Sequence, residues 1–196
     1  MNTNTVIILA AGNSTRMGTP KALLSFSEAE NFLEHLVAKY LEFRFEKIVV
    51  VLNPVLLSQI QPSGFARNKN VLLVENKHPE KSRNYSLHLG LTHAGVKQVF
   101  IQNIDNPLVS YELLHGMDQA LGEHDYVYPV YNNRGGHPIL VSEKLAKKIK
   151  ENDNLDMPLN RFLTNFNGFR FTTTNPEVLI NINTINDYHA FIKNHK

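Results

Sequence analysis

The chain has 196 residues, 42% of them hydrophobic and 19% charged, the balance of one ordinary globular domain, expected to span 1–196. At this length a single core buries roughly 70% of the surface exposed by the unfolded chain, so neither disulfides nor a structural metal are needed, and the lack of cysteine excludes thiolate metal sites, iron–sulfur clusters and cysteine nucleophiles. Twenty Lys and Arg against 18 Asp and Glu leave a net +2, too small and too dispersed for a nucleic-acid or membrane footprint, and the opening MNTNT lacks a secretory n-region, so a cytoplasmic protein is expected.

Short apolar runs at 6–10, 48–52, 71–74, 99–101 and 126–130 alternate with stretches of helical period. Phe32, Leu33, Leu36, Val37, Tyr40 and Leu41 make one helical stripe; Leu87, Leu91 and Ala94 make a weaker one; Leu113, Leu114, Met117 and Leu121 make a third. Further on, the sequence predicts a strand at 138–141, a basic helix around 143–150, a short helix near 158–166, strands near 169–173 and 178–182, and a last helix carrying Tyr188, Phe191 and Ile192. None of the apolar runs approaches the roughly 20 residues of a membrane span. Alternating strand and helix argue for βαβ units, hence a single three-layer α/β/α, Rossmann-like domain whose mostly parallel sheet is covered on both faces. Ligands should gather at the carboxyl ends of its strands, where loops present helix N-termini and free backbone N–H groups.

The segment LAAGNSTRMGTPKALL, residues 9–24, leaves the first strand directly. Ala10, Ala11 and Gly12 are small enough for a ligand to approach the backbone, and Arg16 and Lys21 place two cations on the same loop, an arrangement suited to a polyphosphate. The spacing excludes Walker A, a GxGxxG dinucleotide turn and a GxSxG nucleophile elbow. A carboxylate, Asp105, stands at the end of the fourth strand with Pro107 two residues later, well placed to meet a cation bridging phosphates. Ser110 is the better cap for the following helix.

LAAGNSTRMGTPKALL resembles the LAAGxSxRMGxPKxLL signature of the MobA/MocA-like nucleotidyltransferases, and the resemblance extends in the same motif order from Val6 to about Phe191. It implies the nucleotide-diphospho-sugar transferase type of α/β fold. It also implies that Leu9, Ala10, Ala11 and Gly12 lie against base and ribose, that Arg16 holds the outer phosphates, and that Lys21 neutralises charge on the α-phosphate. VFIQNIDNPLVS resembles the family's Asp-x-Pro element, which makes Asp105 the Mg²⁺-binding aspartate. VLININTINDYHAF resembles the Asn-Ile-Asn-Thr segment, with Asn183 at a second metal-associated position and Ile185 where the family has proline. An amide ligand adds no charge, so metal occupancy would lean on Asp105 and the substrate phosphates.

ENKHPEKSRNYSLHLGL resembles the loop that shapes the base pocket, with Asn76 and Ser86 in register but Ser82 and Arg83 in place of glycine and methionine. Asn53 matches a polar position near the nucleotide in the guanylyl branch. NNRGGHPILV resembles the Gly-His-Pro element of the cytidylyl branch and suggests Arg134 and His137 as acceptor-binding residues.

The implied reaction is Mg²⁺-dependent transfer of a nucleotidyl group from CTP or GTP to a phosphorylated small-molecule acceptor, with release of pyrophosphate. Molybdopterin cytidylyl transfer is the first choice. Guanylyl or other nucleotidyl transfer to molybdopterin or another phosphorylated metabolite is the alternative. Asparagines at 181 and 183 leave open a nucleotide-binding module without turnover.

Overall fold

The apolar runs become strands of one eight-stranded sheet in a computed structural model that describes residues 1–12, 17–60, 64–95 and 97–195. Strands β1 (Thr5–Leu9), β2 (Lys47–Leu52), β3 (Val71–Glu75) and β4 (Val99–Asn103) lie parallel in the order β3-β2-β1-β4. All five residues of β1 and of β4 are buried, as continuous apolar runs in a doubly covered parallel sheet should be. Beyond β4 the order continues through β7 (Ile139–Val141), β5 (Tyr126–Tyr131) and β6 (Arg134–Gly135), with β8 (Gly168–Thr172) parallel to β5. Only β7 and the two-residue β6 run against their neighbours, so the sheet is mixed with a parallel majority.

Successive residues of β1 serve opposite layers. Val6 and Ile8 join a core with α1 (Phe32–Glu42), α2 (Pro54–Ile60), α4 (Tyr111–Leu121) and α7 (Ile185–His195). Ile7 and Leu9 join the core on the other face, with α3 (Arg83–Ala94), α5 (Glu143–Lys150) and α6 (Leu159–Leu163). Helix α3 needs a glycine to reach the sheet: a β-carbon on Gly90 would fall 2.6 Å from Ile7 Cγ2 and 3.3 Å from Val51 Cγ2. Helix starts follow local chemistry. Asn31 and Glu34 form a capping box at α1, and Ser110 accepts from Leu113 N at α4, the cap expected there. None of the described helices is long and apolar enough to cross a membrane.

Two local features depart from the sequence reading. Helix α2, which the sequence reading does not include, is only seven residues long, and its apolar face of Leu56, Leu57 and Ile60 spans little more than one turn. The strand expected at 178–182 is instead a 3₁₀ turn, Pro176–Leu179, followed by an extended run. The backbone groups that a ladder would need are taken by the bend after β4. Asn106 Nδ2 lies 2.6 Å from Ile180 O and 3.3 Å from Glu177 O and Val178 O, and Ile182 N donates to Asp105 O.

Candidate active site

A cavity of about 320 Å³ opens at the carboxyl ends of β1 and β4, where an open α/β sheet places its ligands. Leu9, Ala10, Ala11 and Gly12 form its floor as the chain leaves β1. Ala10 N donates to Val51 O, which carries the β1 ladder one residue past the strand. Farther along the loop, Met17 and Leu24 are buried and Ala22 is almost fully so, anchoring a short 3₁₀ turn that starts at Lys21 behind Pro20. Pinned in this way, the Lys21 ammonium donates to Asn183 Oδ1 at 2.8 Å and lies 3.7 Å from Asp105 Oδ2. Lys21 and Asn183, 162 positions apart in the chain, thus meet with Asp105 beside them.

The bend that carries Asp105 is held from beneath by a buried polar chain. Tyr40 OH donates to Gln102 Oε1 at 2.9 Å, and Gln102 Nε2 donates to Asn106 O at 2.6 Å. Asn106 then reaches the 176–183 limb that ends in Asn183. Complete burial raises the Tyr40 phenol far above its ordinary pKa, so it remains a neutral donor. Gln102 and Asn106 are both fully buried. The signal for them was in the sequence: QNIDN places amides where a buried strand ends, and such amides must find partners.

The other anticipated site residues divide into those at the cavity and those behind it. Ser86 lines the cavity, while Asn76 stands behind it, donating from Nδ2 to Ser86 Oγ at 3.0 Å and accepting His78 N at 2.8 Å. Asn53 caps α2 by accepting Leu56 N at 2.9 Å and donates to Ala11 O at 3.4 Å, so it braces the floor from outside. Asp187 also faces the backbone, accepting Asn183 N and Thr184 N at the start of α7; these bonds hold its carboxyl below the usual carboxylate range. His137 is half-buried beside β4, and Asn103 Nδ2 donates to its Nε2 at 3.0 Å. Burial pushes the imidazole below its ordinary pKa of 6.5, against the opposing pull of Asp105 and with help from the Arg83 charge. Arg134 is exposed on β6 and is not part of the cavity lining. Arg16 lies outside the described residues. Sequence reasoning did not assign Lys81, Arg83 or Asn103 to the cavity, which all three line.

The oxygen donors present fit a hard divalent cation. Asp105 Oδ1 is buried without a hydrogen-bond partner among the described residues, and the Asn183 carbonyl stands nearby through their shared contact with Lys21. Among the described residues, no three His, Asp or Glu side chains cluster as a metal cage. A single carboxylate with an amide oxygen suits a Mg²⁺-like ion that keeps water and takes substrate phosphate as further ligands.

A parallel-rich α/β sheet with small residues, a lysine and a strand-end carboxylate around one cavity defines a nucleotide-handling protein of the nucleotidyltransferase fold class. Residues 6–167 match the MobA-like NTP transferase domain, and the chain belongs to that family, whose members transfer nucleotidyl groups. It is 27% identical over 192 residues to a probable molybdenum cofactor guanylyltransferase of Bacillus mycoides (strain KBAB4), and 22% identical over 182 residues to the molybdenum cofactor cytidylyltransferase of Escherichia coli (strain K12). Each alignment covers 93% of this chain and 92% of the relative. Among solved structures, Rv0371c from Mycobacterium tuberculosis H37Rv superposes with a TM-score of 0.81 at 19% identity, over 97% of this chain and 99% of that one. Its manganese complex gives 0.77 at 16% identity, over 96% and 97%. At these identities the structural likeness establishes the fold alone.

Proposed function

We propose that the protein transfers a nucleotidyl group from CTP or GTP to the phosphate of molybdopterin, releasing pyrophosphate. The observation that supports this most directly is the meeting of Lys21 with Asp105 and Asn183 beside the Ala10–Gly12 floor. An acceptor phosphate oxygen forms a bond to the α-phosphorus while the bond to the bridging oxygen breaks, and its electron pair leaves with pyrophosphate. A phosphate monoester is already anionic, so the protein's task is to align two anions and compensate their charge.

Lys21 does this at the α-phosphate, and Arg16 does so at the outer phosphates. Asp105, with Asn183, would hold a divalent cation, which supplies further charge compensation on the phosphates when bound. The small floor residues let base and ribose lie against backbone. Ser86, oriented by Asn76, presents its hydroxyl to the nucleotide.

CTP is the preferred donor on the strength of the Gly136-His137-Pro138 element. A β-carbon on Gly136 would fall 2.2 Å from Val178 O, so this glycine is what lets His137 dock against the 176–183 limb. The greater identity to a guanylyltransferase supports GTP as the second reading. Pyrophosphate release from CTP and from GTP, measured with molybdopterin and Mg²⁺ or Mn²⁺, tests the assignment. Turnover with CTP above GTP is the expected result. Nucleotide binding without release would reduce the chain to a binding module.

A further inference from the structure

The cavity holds more positive charge than the nucleotide roles use. Lys81 and Arg83 line it from the segment that leads into α3, and both are exposed. Arg83 is the first residue of α3 and Ser86 follows three positions later, so the two share one face of the helix and both reach the cavity. Among the described residues no hydrogen bond or ion pair engages the Arg83 guanidinium. The Lys81 ammonium rests 4.5 Å from the centre of the Tyr85 ring. Lys21, Asn103 and Asp105 line the same cavity, so the guanidinium shares one space with the residues assigned to the reacting phosphates.

The charges of the reacting groups assign these cations a task. In the proposed reaction the donor triphosphate would be met by Lys21 and Arg16, and by the charge of a divalent ion that Asp105 and Asn183 would hold. The acceptor's phosphate monoester brings about −1.5 to −2 of its own at neutral pH, and must sit beside the α-phosphate against strong repulsion. His137 stands behind Asn103 and is not part of the cavity lining. Arg134, the other cation anticipated for this role, lies off the cavity. We propose that Arg83, seconded by Lys81, binds the acceptor's phosphate and holds it for in-line attack. A guanidinium suits this better than an ammonium, because its planar fork grips two phosphate oxygens at once and fixes their direction. The position is set by the same helix turn that places Ser86, so nucleotide and acceptor are registered to each other through α3.

This inference rests on the transferase reading, and its test separates the two. The donor is held as the unreactive α,β-methylene analogue of CTP, and of GTP in parallel, with Mg²⁺ present. Inorganic phosphate then serves as the smallest acceptor, and its binding is followed by calorimetry for the native chain and for Arg83→Gln, Arg83→Lys and Arg134→Gln. Phosphate affinity should fall about tenfold or more in Arg83→Gln and less in Arg83→Lys. It should be unchanged in Arg134→Gln, and analogue affinity should hold within about twofold throughout. Arg83 is exposed, so the fold tolerates these changes. Phosphate binding that survives Arg83→Gln, or that is absent from the native analogue complex, overturns the inference. So does an equal loss of analogue affinity, which would place Arg83 on the base or the triphosphate. If the native chain binds neither analogue, the transferase reading itself falls and takes this inference with it.

Discussion

Lys21 and Asp105 lie close enough to share charge, yet they make separable demands. Lys21→Ala removes a preorganised donor without touching the core, and pyrophosphate release should drop about a hundred- to thousandfold while far-ultraviolet circular dichroism stays native. Undiminished release would remove Lys21 from the chemistry. Asp105→Asn keeps the size and hydrogen-bonding capacity of the side chain but not its charge. Activity should then need far more Mn²⁺ or Mg²⁺, if it survives at all; a metal titration matching that of the parent would place the ion elsewhere. His137 carries a pH signature. Its folded pKa lies below the 6.5 of the free side chain, so the unfolded chain takes up the proton first as pH falls. Its contribution is therefore fully present above pH 6.5 and is lost through the window from 6.5 down to the folded value. Urea midpoints at pH 7.5 and 5.5 should differ less in His137→Gln than in the parent; equal acid sensitivity in both would show that other groups dominate.

Among the elements, α3 bears the tightest constraint, because Gly90 lies against Ile7 and Val51 in the centre of the sheet. Gly90→Ala should cost about 1–3 kcal/mol through overpacking, although alanine is the better helix former. An unchanged or raised denaturation midpoint would mean that α3 shifts away without penalty. Elements with a strong local signal were legible in the sequence: the buried runs of β1, β2 and β4, the stripes of α1 and α4, and the Ser110 cap. Elements defined by distant partners were not. The segment at 178–182 has a strand's composition, but its carbonyls answer to Asn106, more than seventy residues away, and no periodicity reports such a bond. Asn53 and Asn76 show the same limit at the site. The family resemblance puts both beside the nucleotide; in the structure Asn53 caps a helix and Asn76 orients a serine, contacts that no local pattern announces. Arg83 stood out only as a departure from the family pattern, and its place at the cavity became clear from the start of α3.

At the scale of the whole molecule, the cavity is closed by a C-terminal limb that the sheet itself does not hold. Residues 176–183 are laced to the β4 bend through Asn106 and Asp105, and Val178, Ile182 and Phe191 bury the limb in the first helical layer. Asn183 therefore reaches Lys21 from a segment beyond residues 6–167, the stretch matched by the family domain. Asn106→Ala strips several carbonyls of a donor, at a cost of about 1–3 kcal/mol. Hydrogen exchange should accelerate in 176–195 well before it does in β1 and β4; uniform acceleration would show that limb and sheet open together.

The reversal of β7 has its own consequence for the cavity. In a wholly parallel sheet, only chain departing from a strand reaches the working edge. Here chain arriving at one reaches it too, and delivers His137 next to Asn103. That incoming hairpin hangs from the far half of the sheet, away from the β1 loop. Its last residues also press on the limb that carries Asn183, through Gly136 and the bond from His137 N to Val178 O, so any revision of this segment is felt at Lys21 and Asp105 too.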